Sequence, residues 1–154
     1  MNSYQRIFGT GPRGTIISIA LLGVAYWLKP MLGLPSIIKN KLLRYSLFGA
    51  LSALTVAVIG WSVRSLPPTD RGRNLVTSGA FHYFRHPLYG AFLTFFNFGL
   101  AILLNNWIYV LWATTQHPVW HWNIEGEEAL MRQYFPDEYD NYCQQTGRFV
   151  PRVF

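Results

Sequence analysis

Residues 86–124, HPLYGAFLTFFNFGLAILLNNWIYVLWATTQHPVWHWNI, form a run of 39 positions without Asp, Glu, Lys or Arg. A soluble core does not need an uncharged run of that length. A hydrocarbon layer about 30 Å thick takes roughly 20 apolar residues per crossing at 1.5 Å each, so the run holds two crossings. Asn105 and Asn106 divide it into residues 87–104 and 107–124, 18 on each side. This predicts a helical hairpin with its turn at the far membrane surface. Pro87 suits the first turn of the outgoing helix, where a backbone N–H would have no intrahelical acceptor. Trp107 and Tyr109 stand at the turn, and Trp112, Trp120 and Trp122 follow the return helix towards the opposite interface, as membrane-anchoring aromatics do.

Two further uncharged runs precede the hairpin, 15 residues between Arg13 and Lys29 and 19 between Arg44 and Arg64. The first predicts a span over 14–28, short enough that Arg13 and Lys29 must snorkel, with Pro30, Gly33 and Pro35 ending any helix. Arg6 and Arg13 ahead of it mimic a secretory signal, but no small-residue cleavage site follows Trp27, so a signal anchor is expected. The second span, 45–63, carries Gly49, Ala50, Ser52, Ala53, Ala57 and Gly60. Small residues let helix backbones approach closely in lipid, and this span is expected inside the bundle. Residues 64–85 read as a polar loop, and 125–134 and, after Pro136, 137–145 as two short amphipathic helices. No repeat of 20 to 50 residues occurs. The expected fold is an all-α polytopic membrane bundle of one domain, 1–154, with about four transmembrane helices and short C-terminal amphipathic helices.

Composition agrees, since only 13% of residues are charged against roughly 25% in soluble domains. The net charge is +6, yet the basic residues flank apolar runs instead of forming a stripe with interleaved aromatics. Anionic lipid headgroups, not nucleic acid, are the partner this implies. Arg6, Arg13, Arg64, Arg71, Arg73, Arg85, Arg132, Arg148 and Arg152 make nine cations on the side of both termini, against Lys29, Lys39, Lys41 and Arg44 on the other. The positive-inside rule then puts both termini and the 64–87 loop in the cytoplasm. The single cysteine, Cys143, excludes an internal disulfide and a cysteine-based zinc cluster. His117, His121 and Glu125 recur at metal-ligand spacing, but Pro118 disturbs the helix between them, and no metal site is expected.

Residues 75–90 read LVTSGAFHYFRHPLYG, and about fifty residues downstream stand Glu127, Glu128, Leu130, Phe135, Glu138, Tyr139, Tyr142, Arg148 and Pro151. In the order and spacing of these pieces, residues 72–151 resemble the membrane-embedded isoprenylcysteine carboxyl methyltransferases and phospholipid methyltransferases. The resemblance implies an integral membrane methyltransferase that uses S-adenosylmethionine on a small lipophilic acceptor, a prenylcysteine-type carboxylate, lipid amine or thiol. It implies cofactor contacts from Arg73, Asn74, Leu75, Val76, Phe81, Arg85, His86, Pro87, Leu88, Tyr89 and Glu127, with His86, Tyr89 and Glu127 at the reacting centre. Asn123, Glu128 and Arg148 are the candidates for holding the acceptor. Two positions depart from the family pattern. Phe81 replaces a tyrosine, and Asn123 stands where prenylcysteine-methylating members carry an arginine.

The chemistry of these residues suits that cofactor, which carries a carboxylate, an ammonium and a sulfonium. A helix N-terminus at Pro87, with Arg85 and His86, favours an anion. Glu127 suits the ammonium or the sugar hydroxyls, and Tyr83, Tyr89 and Trp122 offer aromatic faces to a cation. The acceptor is expected to arrive sideways from the bilayer, between the second span and the hairpin, with its reactive atom near Tyr89 and Glu127. An NADPH-dependent, sterol-reductase-like protein is the competing reading, because those enzymes share an Arg-His-Pro-x-Tyr segment. A non-catalytic membrane scaffold is the third.

Overall fold

The computed structural model describes residues 10–67 and 74–152. Arg73, together with Arg6 and Arg71, lies outside them. Helix accounts for 77% of the described residues, among which the one β-type pairing is an isolated parallel bridge between Phe84 and Gly147. The helices are α1 (Gly11–Leu32), α2 (Lys41–Ser65), the single turn α3 (Ala80–Tyr83), α4 (Pro87–Leu104), α5 (Trp107–Asn123), α6 (Glu125–Tyr134) and α7 (Pro136–Gln145). Helix α4 contains a π-helical stretch, Phe92–Phe96. Three of them, α1, α2 and α4, are long and apolar enough to cross a membrane by length and composition. With 17 residues, α5 spans about 25 Å and runs back beside α4 from the far turn.

That turn forms as the sequence predicts. Asn105 adopts the left-handed conformation (φ 54°) that ends α4, and the Asn106 side chain caps α5 by accepting the Ile108 N–H at 3.1 Å. The same two asparagines hold the α1–α2 loop. Asn105 Oδ1 accepts the N–H groups of Ile37 and Ile38 at 3.1 and 2.9 Å, and Asn106 Nδ2 donates to the Leu34 carbonyl at 2.6 Å. Both far-side connections are thereby fixed to each other, so the starts of α1 and α4 and the ends of α2 and α5 meet at the opposite end.

Two sequence expectations are corrected. Helix α1 does not stop before Pro30 but continues to Leu32 and ends at Gly33, whose φ of 57° terminates it. Proline in a last turn forfeits one backbone hydrogen bond near a helix end, which is cheaper than breaking the middle of a span. At 22 residues, α1 is about 33 Å long, long enough to cross without being stretched. Its flanking cations sit on aromatic faces of α5, Arg13 over Trp122 at 4.6 Å and Lys29 over Tyr109 at 5.9 Å.

The small residues of α2 are not its packing face. Gly49, Ala50, Ala53, Ala57 and Gly60 are exposed, and a Cβ added at Gly49 or Gly60 would meet nothing within 4 Å. Helix α2 instead turns Phe48, Leu51, Thr55 and Ser62 inward, and the close approach is made by Gly99 of α4, where an added Cβ would stand 3.2 Å from Leu51 Cβ. The glycine that matters is on the partner helix.

Candidate active site

The site lies where α1 and α4 begin and α5 passes into α6. Phe84 is extended, and residues 84–86 pair with the chain after α7. The Arg85 N–H donates to the Gly147 carbonyl at 2.8 Å and the His86 N–H to the Arg148 carbonyl at 3.1 Å. Two glycines permit the approach. A Cβ at Gly90 would stand 2.4 Å from the Phe149 carbonyl oxygen, and one at Gly147 1.9 Å from that of Val150.

Glu127 and Glu128 fall in the first turn of α6. Neighbours on a helix do not share a face, and the pair divides accordingly. Glu128 is fully buried and is the centre of an ion cluster. It accepts from Arg85 Nε at 3.0 Å and from Arg148 Nε and Nη2 at 3.0 and 2.6 Å. Arg85 Nη1 also donates to the carbonyls of Cys143 (3.1 Å) and Thr146 (2.6 Å). Arg148 Nη1 donates to His121 Nδ1 at 2.9 Å. Burial acts to raise the Glu128 carboxyl, but His86, Arg148 and the Arg85 charge outweigh it and hold the group well below the usual carboxylate range. These ties knit α4, α5, α6 and the segment after α7 together.

Glu127 faces the other way. Its Oε1 accepts from Tyr89 Oη at 3.1 Å, Thr10 Oγ1 at 2.7 Å and the Thr10 N–H. His86 lies between the two carboxylates, with Nδ1 3.9 Å from Glu127 Oε2 and Nε2 3.4 Å from Glu128 Oε1. Its Nε2 is buried against that Glu128 oxygen. The imidazole stacks on the Tyr89 ring, which in turn packs against Trp120 with centroids 4.7 Å apart. Asn123 is buried with its Oδ1 unpartnered. Below this cluster opens an apolar cavity of about 380 Å³. Tyr89, Ile19 and Leu22 of α1, Phe92 and Phe96 of α4, and Trp112 and Trp120 of α5 line it.

The predicted residues thus separate into groups. Arg85, His86, Pro87, Tyr89, Asn123, Glu127, Glu128 and Arg148 gather in one place, and Leu88 lines the apolar cavity. Leu75 lines a different, polar cavity of about 1120 Å³ with Thr77, His82, Glu138, Tyr142 and Arg152. Phe81 is joined to that side through its carbonyl, which accepts from Tyr142 Oη. Asn74 and Val76 belong to the chain leading into α3. Of the expected aromatic faces, Tyr83 rests against Trp61 and Trp122 is taken by Arg13, so Trp120 is the partner of Tyr89. Sequence reasoning missed Thr10 and Trp120. Nothing local in the sequence ties residue 10 to residue 127.

An S-adenosylmethionine site needs an anion-binding end, a carboxylate and aromatic walls. The buried, unpartnered Asn123 Oδ1, the N-terminus of α4 and the Glu127–Tyr89–Trp120 group fit those needs.

Residues 28–138 match the phospholipid methyltransferase family. Among curated proteins, the chain is similar to two described as probable protein-S-isoprenylcysteine O-methyltransferases, from Oryza sativa subsp. indica and subsp. japonica. Each is 28% identical over 120 residues, which covers 65% of this chain. The chain spans 60% of the length of these relatives.

Proposed function

The chain belongs to the phospholipid methyltransferase family, and from that membership and the geometry above we propose that it is an integral membrane, S-adenosylmethionine-dependent methyltransferase with a lipophilic acceptor. The observation that carries the reading is the Glu127–Tyr89–His86 cluster adjoining an apolar cavity that Tyr89 lines.

When bound, S-adenosylmethionine supplies an electrophilic methyl group on a sulfonium. His86 and the free N–H groups at the start of α4 would hold its carboxylate. Glu127 would take the ammonium or the sugar hydroxyls, and Asn123 Oδ1 would accept a further hydrogen bond. Tyr89 and Trp120 present aromatic faces, which attract a cation. Arg85, Glu128 and Arg148 are committed to one another and act as the frame. Methyl transfer is an in-line displacement, so alignment and the exclusion of water supply most of the gain. The apolar cavity does both for an acceptor chain lying between α1 and α4. This replaces the path expected from sequence between α2 and the hairpin, where Leu51 and Phe48 are packed onto Gly99. The lining from Gly11 to Leu22 corresponds to about 16 Å of helix, enough to take a hydrocarbon tail. The acceptor class is a lipid-borne carboxylate, amine or thiol.

Isothermal titration of the detergent-solubilised protein with S-adenosylhomocysteine is expected to show binding, and NADPH none. Turnover is expected with prenylcysteine analogues, phosphatidylethanolamine or lipophilic thiols. Binding of NADPH alone would return the reductase reading, binding of neither the scaffold reading, and turnover of water-soluble acceptors only would remove the lipid path.

The nine-to-four cation count supports a cytoplasmic position for this end of the bundle, where the soluble methyl donor is available. A Cys143→Ser, Gln145→Cys variant in intact cells is expected to resist an impermeant thiol reagent and to react after permeabilisation. Labelling from outside would invert the topology.

A further inference from the structure

The residue that precedes α1 is the least expected member of the site. Thr10 uses three of its groups there. Its N–H and its hydroxyl both donate to Glu127 Oε1, the hydroxyl at 2.7 Å, and its carbonyl accepts from Asn123 Nδ2 at 3.2 Å. With Tyr89 Oη as the third donor, Oε1 is saturated. Oε2, 3.9 Å from His86 Nδ1, accepts no hydrogen bond among the described residues. The carboxylate is therefore held by one oxygen with the other kept for a ligand.

The start of α1 is shaped for this contact. Gly11 lets the helix lie on Tyr89, where an added Cβ would stand 3.3 Å from the hydroxyl oxygen. One turn later a Cβ at Gly14 would stand 2.7 Å from both Asn123 Nδ2 and the Trp120 ring. The match to the family begins at residue 28, so Thr10, Gly11 and Gly14 lie outside the matched residues.

We propose that Thr10 is a positioning residue that orients the Glu127 carboxylate for the methyl donor, so that the first transmembrane helix supplies part of the active site. The inference rests on the reading of Glu127 as a cofactor ligand. A ligand that meets a carboxylate already fixed by three donors does not have to order it, and losing one donor lets the carboxylate rotate.

The test compares Thr10→Val, which keeps the shape and the N–H but loses the hydroxyl, with Thr10→Ser, which restores it. Arg13→Gln is the control. It frees the same end of α1 from Trp122 and leaves every donor to Glu127 in place. Titration with S-adenosylhomocysteine is expected to weaken about tenfold in Thr10→Val, the scale of one hydrogen bond to a charged group. Thr10→Ser and Arg13→Gln are expected to stay near wild type, and in turnover assays the change is expected in KM for the methyl donor more than in kcat. Wild-type binding by Thr10→Val would overturn the proposal. So would equal weakening in Arg13→Gln, which would make Thr10 a docking contact for α1. No binding by the wild-type protein would instead remove the reading of the site itself.

Discussion

Glu128→Ala is expected to cost about 3 to 5 kcal/mol of folding stability, because removing one partner of a buried ion pair leaves the other charge uncompensated. Here two charges are stranded. The Arg85 and Arg148 side chains are only 12% and 20% exposed, and both direct Nε to the same carboxylate oxygen. The pairing of residues 84–86 with 147–148 and the seat of α6 on α4 depend on the same cluster, so loss of folded protein in detergent is expected. Glu128→Gln keeps one acceptor and loses the charge, and should lie between. The pH dependence follows from the direction of the shift. A carboxyl held below its ordinary value contributes stability that is complete above that ordinary value and is lost as pH falls through the folded one. Wild-type thermal stability should therefore be level from pH 7 to about 5 and fall progressively below about 4.3, the ordinary range of a glutamate. Glu128→Gln should start lower and lack that component of the fall. Identical acid profiles for the two proteins would show that the cluster does not carry it.

Glu127→Gln is expected to leave the fold standing and weaken S-adenosylhomocysteine binding by about thirtyfold or more, as about 2 kcal/mol or more is lost when one partner of a desolvated charged hydrogen bond is removed. The amide oxygen can still accept from Thr10 and Tyr89, but the negative charge is gone and an NH2 takes the place of Oε2. His86→Ala should act in the same direction by removing the imidazole between the carboxylates. His117→Ala is expected to bind like wild type, since His117 packs against Phe98, with centroids 6.4 Å apart, on the far side of the π-helical stretch from the carboxylates. Titration of the three variants beside a thermal melt separates binding from folding. Wild-type affinity in Glu127→Gln would return that residue to the role of a helix N-terminal acid.

The adjacent acids show how far a sequence reading reaches into such a site. That Glu127 and Glu128 come near the Arg-His-Pro segment is what the family resemblance implies. Which of them pairs with the arginines and which faces Tyr89 and Thr10 is not in the sequence. They differ by one helical step of about 100°, and the outcome depends on where two arginines and a threonine arrive from elsewhere in the chain. The aromatic wall is similar. Trp120 and Trp122 are equally plausible in sequence, and only the packing of α1 gives Trp122 to Arg13 and leaves Trp120 to Tyr89.

The sequence by itself determined the helical class, the hairpin and its turn at Asn105 and Asn106, the start of α4 at Pro87 and the two short polar helices. All of these follow from local rules, the length of apolar runs, the placement of proline and asparagine and the position of charge, which act over a few residues and need no partner. The tertiary structure decided which face of α2 packs inward, that the apolar cavity opens between α1 and α4, and that Thr10 reaches Glu127 across 117 positions of chain. Those depend on how helices dock, and docking depends on shape matched between segments far apart in sequence. A glycine then matters through what approaches it, as Gly99 does for Leu51 and Gly14 for Trp120, which no reading of either helix alone contains.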